Sequence, residues 1–319
     1  MLRYLSLFSG IGAFEKALSN LGVEYDLVNY CEIDKYASKS YSAIHGVSED
    51  KNLWDITKLN VFNLPQNIDL ITYGFPCQDI SLAGKQQGLF NDDGTLTRSG
   101  LFFNALAVIE HCQPKIAIAE NVKNLVGKKF KPQFDIVLNS LEKAGYNNYW
   151  KVINAKDFGI PQNRERVFIV SIRKDVDNEL FEFPKPYSLE KRLKDFLEPH
   201  VDEKFYINSE KIKTFLNNNP IIDFSKPVLG TCHKRNDLSF ATRDRVYNCD
   251  LESPTLSATM YKDPKCVIVK EATKKGYAEA VEGDSINFEQ PNSKTRRGRV
   301  GKQVAQTLTT SPQQGGGSK

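Results

Sequence analysis

One cysteine stands in a sequence setting that could present its thiol to a ligand. Cys77 lies in the segment Gly74–Ser81, directly after an apolar run at 68–73 that predicts a buried strand. Pro76 and Gln78 flank the cysteine, and the segment predicts a tight turn at the end of that strand. A thiol held at the tip of such a turn is a candidate covalent nucleophile.

Two acidic positions are candidates for binding a nucleotide-like ligand. Glu32 ends the predicted second strand, where a carboxylate typically receives ribose hydroxyls. Asp55 follows a stretch that we interpret as a third strand, and its carboxylate suits an adenine amino group, with Ile33 and Ile56 on the two faces of the ring. The alternative for both acids is a surface charge, and Asp34 is a good cap for the following helix.

A glycine-containing turn joins the first predicted strand to the first predicted helix. It is the segment Phe8–Phe14, with glycine at positions 10 and 12. Two glycines at this place let a ligand approach the backbone, and the N–H groups of the helix then point at the ligand. Because the pattern is only part of the dinucleotide fingerprint, an ordinary strand-to-helix turn is the alternative.

A further carboxyl group and two arginines lie toward the end of the first half of the chain. Glu120 follows the strand predicted at 115–119, so we expect it on the ligand-facing edge of the sheet, where it could hydrogen-bond a base and move a proton. Gln162, Arg164 and Arg166 fall on one face of a predicted strand at period two, and two guanidinium groups suit a phosphate or a base carbonyl. The alternatives are a solvated glutamate and an edge strand protected by its charges.

The composition is that of an ordinary globular protein. The chain has 319 residues, 40% hydrophobic and 26% charged, and its net charge of +4 permits nucleic acid as a partner without arguing for it. Arg296, Arg297 and Arg299 form the densest basic patch, which suits a phosphate backbone or else is a solvated loop. Six cysteines occur without a CxxC pair, so no metal site is predicted and a reducing cytoplasm fits. No apolar stretch approaches membrane-spanning length and no signal peptide is recognised, so no membrane partner is predicted.

The order of the elements predicts the fold class. Residues 1 to about 175 alternate between strands and helices, which is typical of a mostly parallel, doubly wound α/β sheet. The predicted strands are 2–8, 26–31, 68–73 and 115–119, followed by an antiparallel pair at 149–154 and 166–172. After Pro184 the alternation stops. We therefore predict an α/β domain at 1–184, a smaller irregular, β-rich domain at 185–310 and a flexible, linker-like tail at 311–319.

In their order and spacing these segments resemble the cytosine-5 methyltransferases of DNA, of the bacterial and phage restriction-modification type. The resemblance is close over roughly residues 1–175. It implies a Rossmann-like, S-adenosylmethionine-dependent methyltransferase domain followed by a target-recognition domain. The segments that carry the resemblance are Phe8–Phe14, Cys31–Asp34, Trp54–Ile56, Gly74–Ser81, Ser99–Phe103, Glu120–Val122 and Gln162–Arg166.

The resemblance implies S-adenosylmethionine as the cofactor and double-stranded DNA as the partner. Glu32 would hold the ribose and Asp55 the adenine amino group. The residues that it assigns to the cofactor are Phe8, Gly10, Gly12, Phe14, Glu32, Ile33, Asp55, Ile56, Gly74, Pro76 and Leu101. Those that we assign to DNA are Gln78, Ser81, Arg296, Arg297 and Arg299.

The same resemblance implies a mechanism. Cys77 would add to carbon-6 of a flipped-out cytosine and so activate carbon-5 for methyl transfer. Glu120 would bind N3 and the exocyclic amine, and Arg164 and Arg166 would bind the base carbonyl. The segment 81–98 would be a mobile loop that closes over the base.

Family members continue with an Arg-Leu-rich helix motif and a Gly-Asn-Ser motif, which this sequence does not contain. The sequence leaves open a truncated or engineered chain, a second chain that supplies those motifs, and a degenerate copy. Two rival functions also remain open, a tRNA methyltransferase and an inert DNA-binding protein. The long irregular second region favours DNA over tRNA, and the intact Cys77, Glu120 and arginines argue against decay.

Overall fold

The structure is a computed structural model that describes most of the chain. It describes residues 1–80, 87–198, 209–233, 238, 244–256 and 265–268, and the backbone of short strands at 285–287, 299–301 and 316–317. The chain divides into two compact units, the first formed by 1–154 with 165–185 and the second by 155–164 with 186–319. The helices and strands, in chain order, are β1 (Leu2–Leu7), α1 (Ala13–Asn20), β2 (Tyr25–Cys31), α2 (Lys35–His45), β3 (Leu70–Tyr73), α3 (Phe102–Cys112), β4 (Ile116–Val122), α4 (Lys131–Lys143), β5 (Tyr146–Asn154), β6 (Gln162–Asn163), β7 (Glu165–Arg173), α5 (Ser209–Asn218), β8 (Val228–Thr231), β9 (Arg245–Asn248), β10 (Ser253–Pro254), β11 (Cys266–Ile268), β12 (Ser285–Asn287), β13 (Arg299–Gly301) and β14 (Gly316–Gly317).

The first unit is built on a six-stranded sheet in the order β2-β1-β3-β4-β7-β5. The strands β1 to β4 pair in parallel, whereas β7 runs antiparallel to both β4 and β5. This confirms the predicted α/β class and the predicted antiparallel pair. Because the carboxyl ends of β1 to β4 meet at one edge of the sheet, the segments that follow these strands are brought to the same edge.

The central strands and α3 form the main core of this unit. All four residues of β3 are buried, which agrees with its apolar Leu70, Ile71 and Tyr73, and only Thr72 is polar. The helix α3 buries residues on most of its circumference, including Phe102, Val108 and Ile109, each of which is fully buried. Buried apolar surface of this extent fixes the sheet edge as a rigid platform for the segments that leave it.

The prediction of a strand before Asp55 is wrong. The chain there forms a short 3₁₀ turn at Glu49–Lys51, in which the Ser48 side chain accepts from the Asp50 amide. Beyond it, only a single bridge joins Asn52 to Tyr30 of β2. Capping residues at the start of the segment favour a turn over an extended strand.

The second unit contains smaller sheets. One has the order β11-β9-β8 and packs with α5 around a small core that includes Phe215, Leu229 and Val246. β10 pairs in parallel with β6, and the remaining strands are ordered β13-β12-β14. Within the described ranges of both units, no helix combines the length and apolarity that crossing a bilayer requires.

Candidate active site

The turn that carries Cys77 is anchored by a backbone hydrogen bond and by buried apolar neighbours. Cys77 is partly exposed, and its carbonyl accepts from the amide of Ile80 at 3.0 Å, which closes a tight turn. Ile80 and Phe75 on either side of the thiol are buried in the main core. Pro76 is partly exposed and Gln78 is exposed beside the thiol. The apolar anchors therefore fix the turn, and Cys77 is partly exposed at the sheet edge.

Glu120 lies next to the strand that leads into this turn. The prediction that it follows β4 is wrong by a few residues, since β7 pairs with β4 as far as Val122 and keeps Glu120 inside the strand. The register that pairs Tyr73 with Ala119 places Gly74 beside Glu120. A Cβ atom on Gly74 would lie 3.8 Å from Glu120 Oε2, an ordinary van der Waals distance, so the Glu120 carboxylate lies directly beside Gly74.

Two asparagines that follow Glu120 tie β4 to the cysteine turn. Asn121 is buried, and its Nδ2 donates to the carbonyl of Phe75 at 3.1 Å. Asn124 Nδ2 donates to the carbonyl of Ile80. The turn is therefore held on both sides of Cys77 by side chains from the segment that carries Glu120. The sequence pattern identified neither asparagine as an anchor of this turn.

Arg166 pairs directly with Glu120. Its Nε donates to Glu120 Oε1 at 2.8 Å, and the two side chains are 18% and 26% exposed. A charged hydrogen bond in this partly buried setting orients the carboxylate more firmly than an exposed pair would.

That Arg164 shares a strand face with Arg166 stays a prediction. β6 ends at Asn163 and β7 begins at Glu165, which leaves Arg164 at a break where its carbonyl accepts from the Ala155 amide at 3.0 Å. Arg164 belongs to the second unit and Arg166 to the first.

The glycine turn after β1 leaves its backbone open. Gly10 has φ +57° and the position of a Cβ on it is surrounded by free space. Its amide donates to Glu32 Oε2 at 2.8 Å. Phe8 is half-buried against the main core, and Phe14 packs on a separate cluster around Tyr4. Open backbone beside a fixed carboxylate fits the close approach of a nucleoside-type group.

Glu32 is fixed at the end of β2. Besides Gly10, the Asp34 amide binds its carboxylate, at 2.8 Å to Oε1. Asp34 itself caps α2 by accepting from the amides of Tyr36 and Ala37. The helix-capping interpretation of Asp34 is therefore confirmed. Carboxylate oxygens accept more than one hydrogen bond, so Glu32 keeps capacity for hydroxyl donors.

Asp55 lies near Glu32 at the start of a 3₁₀ turn, Ile56–Lys58. Its Oδ1 accepts from Thr57 through the amide at 3.0 Å and through the hydroxyl at 2.7 Å. These hydrogen bonds hold the pKa of the Asp55 carboxyl below its ordinary value. A carboxylate kept ionised in this way is a suitable acceptor for an amino group.

The three apolar residues assigned to the adenine ring lie in different environments. Ile33 is 68% exposed, whereas Ile56 is only 7% exposed and belongs to the main core. Leu101 is half-buried at the end of the 3₁₀ turn Ser99–Leu101 and packs on the same core. Of the three, Ile33 has the most surface available to a ligand.

The segment that follows the cysteine turn is closed at its base by an ion pair that sequence reasoning missed. Asp79 is buried, and Arg98 Nη2 donates to its Oδ1 at 2.8 Å. The Asp79 carbonyl also accepts from the Gly88 amide at 2.7 Å, and the Thr97 amide donates to the Leu89 carbonyl at 3.0 Å. Arg98 holds the pKa of the Asp79 carboxyl below its ordinary value. The described part of the predicted mobile loop is therefore fastened at both ends.

Several of the predicted DNA-contacting residues cannot be placed. Ser81, Arg296 and Arg297 lie outside the described residues. Arg299 lies in β13, of which only the backbone is described. Within the described residues no group of His, Cys, Asp and Glu side chains is arranged to hold a metal ion.

Comparison with known proteins identifies the family. The sequence profile of the family described as "C-5 cytosine-specific DNA methylase" matches residues 2–313. The chain is 39% identical over 243 residues to "Orphan methyltransferase M.SPRI" of Bacillus phage SPR, which covers 67% of this chain and 54% of that protein. It is 35% identical over 326 residues to "Orphan methyltransferase M.SPBetaI" of Bacillus phage SPbeta, which covers 83% of this chain and 73% of that protein.

The fold has solved counterparts. The structure matches the S. pombe Dnmt2 methyltransferase with a TM-score of 0.56 and 21% identity, over 83% of this chain and 74% of that chain. At this identity the match concerns the fold, which agrees with the α/β architecture described above. The chain belongs to the C-5 cytosine-specific DNA methylase family.

Proposed function

We propose that the chain transfers a methyl group from S-adenosylmethionine to carbon-5 of a cytosine in duplex DNA. The observation that carries the proposal is the Arg166–Glu120 ion pair beside Gly74, in the segment that presents Cys77. A thiol, a carboxyl group and a guanidinium at one sheet edge form a suitable set for adding a nucleophile to a pyrimidine ring.

The residues after β1 and β2 would hold the cofactor. When bound, S-adenosylmethionine supplies an electrophilic methyl group. The open backbone at Gly10 would receive its amino-acid part, Glu32 its ribose hydroxyls and Asp55 its adenine amino group. These residues suit the cofactor because the carboxylates of Glu32 and Asp55 are already held in place by backbone or hydroxyl donors.

The chain's own residues would activate the base. The Cys77 thiolate forms a bond from Sγ to carbon-6 of the cytosine, and the electron pair of the C5–C6 double bond moves toward carbon-5. Glu120 hydrogen-bonds the N3 edge, where the ring takes up charge, while Arg166 holds the carboxyl group in place. Carbon-5 would then take the methyl group that S-adenosylmethionine supplies, with S-adenosylhomocysteine as the leaving group. Removal of the carbon-5 proton by a base and elimination of the thiolate would restore the double bond.

The target base must leave the duplex to reach Cys77. Enzymes that do chemistry on a base extrude it from the stack. The segment fastened by Asp79 and Arg98 directly follows the cysteine turn, so it is suitably placed to cover an extruded base. We assign sequence recognition to the second unit and phosphate contacts to the exposed Gln78 and to Arg296, Arg297 and Arg299.

Covalent trapping tests the proposal. Duplex DNA that carries 5-fluorocytosine cannot lose a proton from carbon-5, so an active chain should stay bound to it through a denaturing gel when S-adenosylmethionine is present. A library of duplexes read by bisulfite sequencing would supply the recognised site. A tRNA transcript serves as the competing substrate. Trapping on tRNA alone would exclude duplex DNA as the substrate, and no trapping on either would reject the covalent mechanism.

A further inference from the structure

Trp54 has an unusual backbone for its residue type. Its φ is +60°, in the left-handed region that glycine adopts freely and that bulky side chains rarely enter. The indole is 41% exposed. Residues held in sparsely populated backbone regions cluster at active sites and ligand-binding segments.

Asn52 imposes this conformation. The side chain is 7% exposed, and its Oδ1 accepts from the Trp54 amide at 2.8 Å and from the Glu32 amide at 3.0 Å. Its Nδ2 donates to the Glu32 carbonyl and to Ser38 Oγ, both at 3.0 Å. All four hydrogen-bonding positions of the amide are therefore used. A buried amide with full hydrogen bonding is a rigid connector.

A second contact fixes the other side of Trp54. The Cys31 thiol at the end of β2 donates to the Trp54 carbonyl at 3.1 Å. The backbone of Trp54 is thus bonded through its amide to Asn52 and through its carbonyl to Cys31 of β2. The strain at Trp54 is maintained by surrounding contacts rather than relieved by them.

These contacts determine where Trp54 lies relative to Glu32 and Asp55. The amides of Glu32 and Trp54 bind the same oxygen of Asn52, and Asp55 is the next residue along the chain. Trp54 is therefore linked through Asn52 to Glu32, whose carboxylate is assigned to the ribose, and it directly precedes Asp55, whose carboxylate is assigned to the adenine amino group. A nucleoside held by both acids would lie beside the indole.

We propose that Trp54 contacts the cofactor by packing its indole on the adenine ring. The proposal rests on the proposed function and deepens it. Nearby Ile56 is buried in the core and has little surface for a ligand, whereas Trp54 and Ile33 are both exposed. Aromatic side chains stack on the flat face of a base regardless of its hydrogen-bonding edge. Asp55 then reads the amino group, and Trp54 supplies affinity for the ring.

Tryptophan fluorescence gives a direct readout because the chain has only two tryptophans, Trp54 and Trp150. Trp150 lies in β5, at the opposite edge of the sheet from β2, with its ring edge-on to Phe134 at 5.0 Å. In Trp150→Phe, titration with S-adenosylhomocysteine should change the emission of Trp54 saturably. In Trp54→Phe, the remaining Trp150 should give no comparable change. Equal responses from the two variants would overturn the proposal.

The substitution Trp54→Gly separates the effect of backbone strain on stability from the effect of the indole on ligand binding. Trp54→Gly removes the ring and places at φ +60° the residue best suited to it, so the melting temperature should be maintained or rise. The affinity for S-adenosylhomocysteine, measured by calorimetry, should nevertheless fall on the order of 10-fold. Trp54→Phe keeps an aromatic face and should restore most of the loss. If Trp54→Gly lowers the melting temperature and leaves affinity unchanged, Trp54 has only a structural role.

A ligand without the amino group distinguishes the role proposed for Trp54 from the role proposed for Asp55. S-inosylhomocysteine keeps the purine ring and has a carbonyl in place of the amine. Trp54→Gly should weaken both ligands by a similar factor, whereas Asp55→Asn should mainly reduce the preference for the adenine compound. If the unaltered chain binds neither ligand, the proposed function fails. If it binds S-adenosylhomocysteine and Trp54→Gly binds it equally well, only the inference about Trp54 fails.

Discussion

Arg166 Nε and Glu120 Oε1 lie 2.8 Å apart across the antiparallel pair β4–β7. Arg166 is opposite Val122 in the register, two residues beyond Glu120, so the two side chains emerge on the same face of the sheet. A diagonal pair of this kind fixes the direction of the carboxylate through two rigid strands. The orientation of the Glu120 carboxylate is therefore set by the fold.

Glu120 and Arg166 should behave as one unit in a double-mutant cycle. Glu120→Gln should lower turnover by about 100-fold or more, because a group that stabilises the adduct contributes at that scale. Arg166→Ala should lower turnover as well, and the double variant should be little worse than Glu120→Gln alone. Rates from single-turnover methylation at saturating DNA give the comparison.

Glu165→Gln is the matched control for this cycle. Glu165 lies in β7, directly before Arg166. It pairs with Lys123 at 2.8 Å, and both side chains are well exposed. Its loss should change turnover by less than about 2-fold, since exposed ion pairs contribute little. Strictly multiplicative effects of Glu120→Gln and Arg166→Ala would show that the two residues act independently.

Cys77→Ser should abolish methylation and trapping by 5-fluorocytosine DNA while leaving the binding of S-adenosylhomocysteine largely intact. A hydroxyl is a far weaker nucleophile than a thiolate at neutral pH. Because Cys77 is partly exposed and its neighbours Phe75 and Ile80 provide the anchors, the exchange should not disturb the turn. Substantial methylation by the serine variant would contradict the covalent mechanism.

The sequence predicted what depends on local pattern. Apolar runs located the strands β1, β2 and β3, and the acid at the end of β2 was expected at the ligand edge, where Glu32 lies. The boundary error at Glu120 arose because the antiparallel partner β7 extends β4 beyond its apolar part. Strand ends are set by the partner as much as by the strand's own residues.

The missed residues are those whose role depends on tertiary contacts. Asn52 has no sequence signal, since its four partners come from the end of β2, from α2 and from Trp54. Asp79 was missed because its partner Arg98 lies nineteen residues away across a loop. Neither relationship has a fixed period or spacing, so no pattern in a single sequence predicts it.

The Asp79–Arg98 pair should stabilise the fold above about pH 4 and lose this effect in acid. Arg98 lowers the pKa of Asp79 in the folded chain below its ordinary 3.8. The contribution is therefore complete above the unfolded pKa and is lost as the pH falls through the folded one. Asp79→Asn should lower the urea midpoint at pH 7, and the difference from the unaltered chain should shrink toward about pH 3.5.

Asp92→Asn is the control for this pH series. Asp92 is an exposed carboxylate in the same segment of the chain. Its removal should change the urea midpoint little at pH 7. If Asp79→Asn gave a difference that grew as the pH fell, the sign assigned to the pair would be wrong.

Gly12→Ala should be more destabilising than Gly22→Ala, although both glycines have positive φ, +85° and +66°. An alanine in the left-handed region costs about 1–2 kcal/mol at either position. At Gly22 nothing lies within 4 Å of the added Cβ, whereas at Gly12 the Cβ would come within 2.1 Å of His45 Nε2. Overpacking of that kind adds about 1–3 kcal/mol to the free energy of folding.

The additional destabilisation expected for Gly12→Ala should come from the clash with His45. It should therefore disappear when the His45 side chain is removed. His45 can move away only by giving up the hydrogen bond from its Nε2 position to the Ile11 carbonyl at 3.0 Å and its contact with the Tyr41 ring. In a His45→Ala background, Gly12→Ala should cost no more than Gly22→Ala in urea unfolding, because only the backbone strain remains. If the excess persists without His45, the glycine requirement at position 12 comes from the backbone of the turn itself.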